Sequence, residues 1–164
     1  MTAAPTPNRP RTAEENAQVE AGLIDLHDRL ISFNQLLQLK TLSLKPGDVR
    51  SRIDMRPELV GHFQYGRLHG GVISAVLDTI GGMACLVGIA DRHPNDTVQQ
   101  ALQRFSRLGT IDLRVDFLRQ GLGQHFIATA EVTRLGGRVG STQMRLVNDE
   151  GTLIATAAAA YVVA

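Results

Sequence analysis

One stretch of the chain, residues 70–90, constrains the fold more than any other. Its twenty-one residues contain a single charged side chain, Asp78, among many Ile, Val, Leu, Met and Ala. A helix that is apolar around most of its circumference is either buried in a core or spans a membrane. At about 1.5 Å per residue this one would be about 30 Å long, enough to cross a bilayer. We favour the buried alternative, because the acid would lie near mid-bilayer and the interior glycines Gly81, Gly82 and Gly88 weaken the helix.

The segment before this helix predicts a tail and then short helices. Residues 1–12 carry three of the six prolines and no periodic apolar pattern, which predicts a disordered tail. From residue 13, apolar residues recur at three- and four-residue steps, which is typical of an amphipathic helix: Val19, Leu23, Leu26 and Leu30. A second short helical stretch follows, and residues 57–68 read as a loop.

The rest of the chain alternates with a period of two. An early hairpin is predicted from runs at 41–45 and 49–55, and four later runs are joined by turns rich in Gly, Asn and Asp: 111–117, 126–132, 139–147 and 152–163. A helix is predicted over 96–107. Because short turns join antiparallel neighbours, we predict an α+β fold in which an antiparallel sheet of about six strands wraps around one long central helix. It forms a single domain, residues 13–164, with N-terminal helices.

Charge and cysteine content exclude several classes of protein. Seventeen basic and sixteen acidic side chains leave a formal charge of +1, too balanced for non-specific nucleic-acid binding. The single cysteine cannot close an intrachain disulfide, and the N-terminus lacks the apolar run of a signal peptide. We therefore expect a cytoplasmic protein with no nucleic-acid and no membrane partner.

Asp78 lies on a face of small residues. At 100° per residue, the positions within about 40° of it are all small: Gly71, Ser74, Gly82 and Cys85. The bulky residues fall on the far side, where they are predicted to face the core: Ile73, Val76, Ile80, Met83 and Val87. Each interior glycine costs roughly 1 kcal/mol relative to Ala, so we expect something to approach this face closely. A buried carboxylate would need a partner, and the alternative is an exposed face with a solvated acid.

His69, Gly70 and Gly71 open the helix. Two glycines leave backbone N–H groups at the positive helix end with no side chain to obstruct a substrate, an arrangement that suits an oxyanion or a polarised carbonyl. The plainer alternative is a turn with a structural histidine.

The segment LHGGVISAVLDTIGGMAC, residues 68–85, resembles the signature of hotdog-fold acyl-CoA thioesterases of the phenylacetate-pathway (PaaI-like) type. Further likeness comes from TIDLRVDFLRQG, RLGGRV and DEGTLIATAAAAYVV, so that the similarity spans about residues 32–164. The nearest likeness is to bacterial members that act on medium- and long-chain acyl-CoA. The resemblance implies a hotdog fold and thioester hydrolysis.

The resemblance also implies residue roles. Gly70, with Gly71 beside it, would bind the thioester carbonyl; Asp78 would act as general base on water or as nucleophile; His69 would brace the loop. It further implies a homodimer or a dimer of dimers, with the acid and the carbonyl-binding loop from different subunits. Because a thiolate of pKa near 8.5 leaves readily, one carboxylate and one N–H suffice, and we expect neither a metal nor a cofactor.

Two groups of binding residues stay open. The family often has an Asn six residues before the His, where this chain has Phe63, so His62 and Gln64 beside it are candidate polar helpers. Candidates for the coenzyme phosphates flank a Gly-Gly turn or lie on the preceding helix, with solvated surface charges as the alternative: Arg104, Arg107, Arg134, Gly137 and Arg138.

Three functions remain in competition on these residues. The first is an acyl-CoA thioesterase for medium- to long-chain or aromatic acyl groups. The second is a hydratase or dehydratase of acyl thioesters on the same fold, in which His69 would be a base. The third is a non-catalytic acyl-CoA-binding protein, to which the Asp78 carboxylate would not matter.

Overall fold

The computed structural model of the protein describes residues 9–163. The helices are α1 (Ala13–Asp25), which continues as a π-helical turn (Leu26–Leu30), α2 (Ser32–Leu37), α3 (Gly70–Arg92) and α4 (Val98–Arg104). The strands are β1 (Lys40–Lys45), β2 (Asp48–Asp54), β3 (Val60–His62), β4 (Arg67–Leu68), β5 (Gly109–Phe117), β6 (His125–Leu135), β7 (Val139–Asn148) and β8 (Leu153–Val162). Short 3₁₀ turns at Pro57–Leu59 and Phe105–Arg107 complete the chain.

Six of the strands form one antiparallel sheet in the order β1-β2-β6-β7-β8-β5. The sheet wraps around α3, which contacts β6 and β7 most extensively. This confirms the predicted α+β hotdog architecture. β1 and β5 are the edge strands of this sheet, and β5 carries part of the site described below.

Helix α3 is the core of the fold. By length and by a mean hydropathy of 2.0 it could cross a membrane, yet 67% of its most apolar window is buried inside the protein. All five bulky residues that were predicted to face the core are buried: Ile73, Val76, Ile80, Met83 and Val87. The buried reading of this segment is therefore correct.

The N-terminal residues differ from expectation where the structure describes them. Residues 1–8 of the predicted tail lie outside the described part. Arg11, however, is only 8% exposed, and its guanidinium donates to the carbonyls of Ala90 and His93 at 2.5 and 2.7 Å. Thr12 then caps α1 in a capping box with Glu15. The chain thus packs against the C-terminal end of α3 before α1 begins.

Two local predictions need correction. The predicted loop at residues 57–68 contains a 3₁₀ turn and the small antiparallel pair β3–β4, whose strands are too short to show a period of two. The helix predicted over 96–107 is shorter, because Thr97 forms its N-terminal capping box and the chain tightens into a 3₁₀ turn at Phe105. Strand β5 begins two residues after this turn.

Candidate active site

His69 caps the N-terminus of α3. Its backbone is extended, and its Nδ1 accepts a hydrogen bond of 2.9 Å from the Gly71 amide. The ring therefore satisfies one of the free amides of the first helical turn. The His69 amide donates to the carbonyl of Leu59, and Gly61 packs so closely that a Cβ there would lie 2.7 Å from the His69 Cα. The 3₁₀ turn and β3 thus hold the cap in place.

Gly70 carries the free donor of this turn. Because Gly71 already donates to His69, the Gly70 N–H is left without a hydrogen-bond partner among residues 9–163. The amide lies beside an open cavity of about 550 Å³. A side chain at position 70 would meet the Phe117 ring at 3.4 Å. The helix end thus offers one unobstructed backbone donor to an oxygen atom.

Asp78 is half-buried on α3, and its carboxylate is held from β5. The hydroxyl of Thr110 donates to Asp78 Oδ1 at 3.0 Å. Thr110 stands at an irregularity in the pairing of β5 with β8, where the register shifts between Thr110 and Asp112. Such a bulge changes which face a side chain points to, so Thr110 reaches the helix while Asp112 lies on the exposed face.

Tyr161 contacts the main chain of Asp78. Its hydroxyl donates to the Asp78 carbonyl at 2.8 Å, and it is 1% exposed. Burial, followed by the negative charge of Asp78, raises the pKa of Tyr161, so the hydroxyl stays protonated and remains a donor. A Cβ on Gly81 would collide with this hydroxyl. The absence of a side chain at Gly81 is therefore what lets β8 approach the helix.

The face of small residues around Asp78 is largely covered by the protein's own chain, which supplies the close neighbour expected for this face. Tyr161 covers Gly81, and Leu108 would lie 3.0 Å from a Cβ on Gly82. Cys85 is fully buried, and burial raises its thiol pKa to about 11, which fits a structural thiol. The part that stays accessible is the N-terminal portion, from Gly71 to Asp78.

Gly70 and Asp78 cannot serve one substrate within a single chain. Eight residues of helix separate them, a rise of about 12 Å. A carbonyl bound at the Gly70 amide would lie far from water activated by Asp78. This arrangement fits the shared two-subunit site that the family resemblance implies.

The two candidate polar helpers lie in the β3–β4 turn. The His62 ring stacks on Phe63 at 5.6 Å and tilts against Tyr65 at 4.8 Å, and its buried Nδ1 has no hydrogen-bond partner between residues 9 and 163. Gln64 is exposed. Neither His62 nor Gln64 lines the cavity beside Gly70. Their role as helpers stays a prediction.

The candidate phosphate-binding arginines lie near the C-terminal end of α3. Arg104 and Arg107 line two adjoining depressions of about 310 and 360 Å³, the second of which also includes Gly137. Arg104 pairs with Asp96 and thereby lowers the pKa of that carboxyl. Arg134 and Arg138 are exposed and form no ion pair with any residue from 9 to 163. Over the same residues, no group of three or more His, Cys, Asp or Glu could hold a metal ion.

Sequence reasoning missed Thr110, Tyr161 and Phe117. Simple alternation along β5 puts Thr110 on the outer face with Asp112, and only the bulge reverses this. Tyr161 was hidden in an alanine-rich strand that offered no sign of its partner. The sequence contains one indication of Tyr161. The Gly81-Gly82 pair predicted a close neighbour on the helix, but not which residue it is.

The fold and this helix-terminal site define a hotdog thioesterase. A model of the thioesterase superfamily matches residues 65–155, and the chain belongs to that superfamily. The individual relatives have names that specify a narrower activity than the superfamily does. The medium/long-chain acyl-CoA thioesterase YigI of Escherichia coli strain K12 is 35% identical over 152 residues, which cover 93% of this chain and 96% of the relative. YigI of Salmonella typhimurium gives the same figures.

Solved structures agree with this assignment. A Shewanella oneidensis protein related to the thioesterase superfamily superimposes with a TM-score of 0.86 and 36% identity, covering 94% of this chain and all of that chain. The PaaI protein from the phenylacetic acid degradation operon of Escherichia coli has a TM-score of 0.69 at 17% identity and covers 92% and 96% of the two chains. At that identity it supports the fold alone.

Proposed function

We propose that the protein is a cytoplasmic, homo-oligomeric thioesterase that hydrolyses medium- to long-chain acyl-CoA to the free acid and CoA. One observation carries the proposal. Strand β5 contacts both halves of the site, since Thr110 near its start holds Asp78 and Phe117 at its end lies against Gly70. The names of the 35% identical relatives support the choice of substrate.

Pairing of β5 with a second copy would complete the site. β5 is an edge strand of nine residues. Two of its apolar side chains, Ile111 and Phe117, are each 55% exposed. Edge strands with free hydrogen-bonding groups readily pair with another chain. In a two-fold antiparallel pair, the Thr110 end of one strand lies near the Phe117 end of the other. Asp78 of one subunit then approaches Gly70 of its partner.

The chemistry follows from these two groups. The Gly70 N–H donates to the thioester oxygen and stabilises the negative charge that develops there. Thr110 fixes one oxygen of Asp78 and so positions the carboxylate, which either takes a proton from water or attacks the carbonyl carbon. Collapse of the tetrahedral intermediate expels the CoA thiolate, which needs little acid assistance. His69 contributes by holding Gly71 and therefore the orientation of the Gly70 amide.

The remaining predicted residues would bind the coenzyme. Arg104 and Arg107 lie just before β5, three to six residues from Thr110, with Arg134 and Arg138 flanking the β6–β7 turn beside Gly137. Arginine side chains suit phosphate groups because their planar donors bind two oxygens at once. His62 and Gln64 would serve as the polar helpers of the reaction, from the β3–β4 turn across the subunit interface.

The activity is tested by thiol release from a series of acyl-CoAs of graded length. We expect turnover to be highest with medium and long chains. Hydration of an enoyl-CoA without thiol release would favour the hydratase alternative. Ligand-induced thermal stabilisation without any turnover would favour a binding protein.

The shared site is tested by complementation. Gly70→Pro removes the N–H at a helix position that tolerates proline, and Gly70→Ala, which retains the N–H, is its matched control. Gly70→Pro and Asp78→Asn should each be inactive alone. Differently tagged subunits, purified as mixed dimers, should regain about half of the wild-type activity, because one of two sites is intact. Mixed dimers without activity would contradict a site built from two subunits.

A further inference from the structure

The cavity beside Gly70 has an apolar wall. Four side chains supply it: Leu68, Ile73, Phe117 and Leu118. The Phe117 ring lies closest to the amide, with Cε1 and Cζ at 3.4 and 3.5 Å from the point where a Cβ on Gly70 would stand. The ring is 55% exposed although it is large and apolar. It therefore borders the space next to any carbonyl that the amide binds.

The two arginines that line this cavity contact other parts of the protein. The Arg67 guanidinium lies 5.4 Å over the Tyr65 ring, and Arg119 Nη1 donates to the Leu153 carbonyl at 3.1 Å. Both cations are thereby engaged by other parts of the protein, and His69 and Gln120 are the other polar side chains that line the cavity beside the four apolar ones. This environment favours a hydrocarbon group over a phosphate.

The cationic depressions lie at the opposite end of α3. Arg92, which lines one of them with Arg104 and Arg107, is twenty-two residues from Gly70, a rise of about 33 Å. In the antiparallel dimer, the Gly70 amide of one subunit approaches the partner's Asp78, fourteen residues or about 21 Å from the partner's Arg92. The coenzyme would therefore extend away from the Gly70 cavity, which leaves that cavity for the other side of the thioester.

We propose that this cavity receives the acyl group and that Phe117 determines the width of acyl group accepted next to the carbonyl. The inference rests on the proposed thioesterase function. With the thioester oxygen on the Gly70 amide, the second and third acyl carbons must pass the Phe117 ring. A straight chain passes along the face of the ring, whereas a ring or branch close to the carbonyl collides with it. Phe117 is thus a specificity-determining residue, not a catalytic one.

The test compares octanoyl-CoA with phenylacetyl-CoA, which is bulky near the carbonyl. Phe117→Ala should raise the ratio of kcat/KM for phenylacetyl-CoA over octanoyl-CoA by about tenfold, since pocket contacts of one or a few carbons change selectivity on that scale. Phe117→Leu should give a smaller rise, and Phe117→Trp should lower the ratio.

Ile111→Ala is the matched control, because Ile111 is equally exposed on the same strand but does not line the cavity. It should leave the ratio unchanged, and the mass of each variant in solution shows that the assembly is intact. If Phe117→Ala does not assemble, Phe117→Leu decides the outcome. A wild-type ratio in an intact Phe117 variant overturns the inference. Absence of thiol release by the wild-type protein from any acyl-CoA contradicts the proposed function itself, which is a different result.

Discussion

The Tyr161 hydroxyl donates a hydrogen bond of 2.8 Å to the main-chain carbonyl of Asp78. This contact joins the last strand to the central helix at the residue that carries the proposed chemistry. It is possible only because Gly81 has no side chain. Gly81, which weakens α3 as an isolated helix, therefore has a packing function in the folded protein.

Gly81→Ala should destabilise the protein by about 1–3 kcal/mol, because the new methyl group collides with Tyr161 and lies 3.0 Å from Met144 Sδ and Thr142 Oγ1. Thermal or urea unfolding measures the change. Gly88→Ala is the control on the same helix, since its methyl group would meet Leu135 and Val132 at ordinary distances of 3.4 and 3.6 Å. That variant should be as stable as wild type or up to about 1 kcal/mol more stable. Equal stability of the two variants would contradict the packing function.

Asp78→Asn should lower kcat for acyl-CoA hydrolysis by at least about 10²-fold, because the amide can neither accept a proton from water nor attack the carbonyl. Steady-state thiol release measures the effect. Asp91→Asn removes an exposed acid from the same helix and should leave kcat unchanged. A near-normal kcat for Asp78→Asn would refute the role assigned to this acid.

Thr110→Val should lower kcat by about tenfold, which corresponds to about 1.4 kcal/mol, the loss of one hydrogen bond to a charged group. The substitution keeps the shape of the side chain and removes only the donor to Asp78 Oδ1. Thr110→Ser, which keeps the hydroxyl, should retain most of the activity. If the two variants have the same kcat, the hydroxyl does not position the carboxylate.

Arg138→Ala should raise KM for acyl-CoA more than it lowers kcat, because a phosphate contact far from the thioester contributes to binding in both ground and transition states. Increasing salt should raise the KM of the wild-type protein for acyl-CoA, since salt screens exposed charges. Arg145→Ala, on an exposed position of β7, is the control. An unchanged KM would remove Arg138 from the phosphate site.

Acid should destabilise the protein through Asp96. The hydrogen bond from Arg104 lowers the pKa of this carboxyl below its ordinary value of 3.8, so in the unfolded chain it takes up a proton at higher pH than in the folded one. The stability it contributes is complete above the unfolded-state pKa and is lost as the pH falls through the folded-state pKa. Urea unfolding between about pH 3 and pH 7 should therefore show a smaller acid-induced loss for Asp96→Asn than for wild type. Parallel curves would contradict this.

The predictable parts of the fold were those in which a periodic pattern of apolar residues continues over a long segment. The apolar run of α3 and the alternating strands β5 to β8 follow from residue spacing alone, because each keeps one pattern over many residues. β3 and β4 have three and two residues, too few for any period, and their pairing depends on tertiary contacts. The burial of Arg11 was equally unpredictable, since a lone arginine beside prolines carries no sign of the carbonyls it binds.

The candidate site was predictable in kind and less so in geometry. His69 at the start of an apolar helix indicated a helix-terminal donor, but only the structure shows that Gly71 is engaged and Gly70 is free. Thr110 could not be found, because a bulge of one residue decides which face of β5 it occupies. The small residues near Asp78 predicted a close neighbour, and that neighbour is the protein's own Tyr161.

The position of Arg11 has an electrostatic consequence for the whole helix. Its cation lies on the carbonyls at the C-terminal end of α3, where the helix dipole is negative, and partly neutralises that pole. The opposite pole, at Gly70, keeps an uncompensated amide. The central helix therefore keeps its electropositive terminus, and an oxygen that gains electron density is drawn to that terminus.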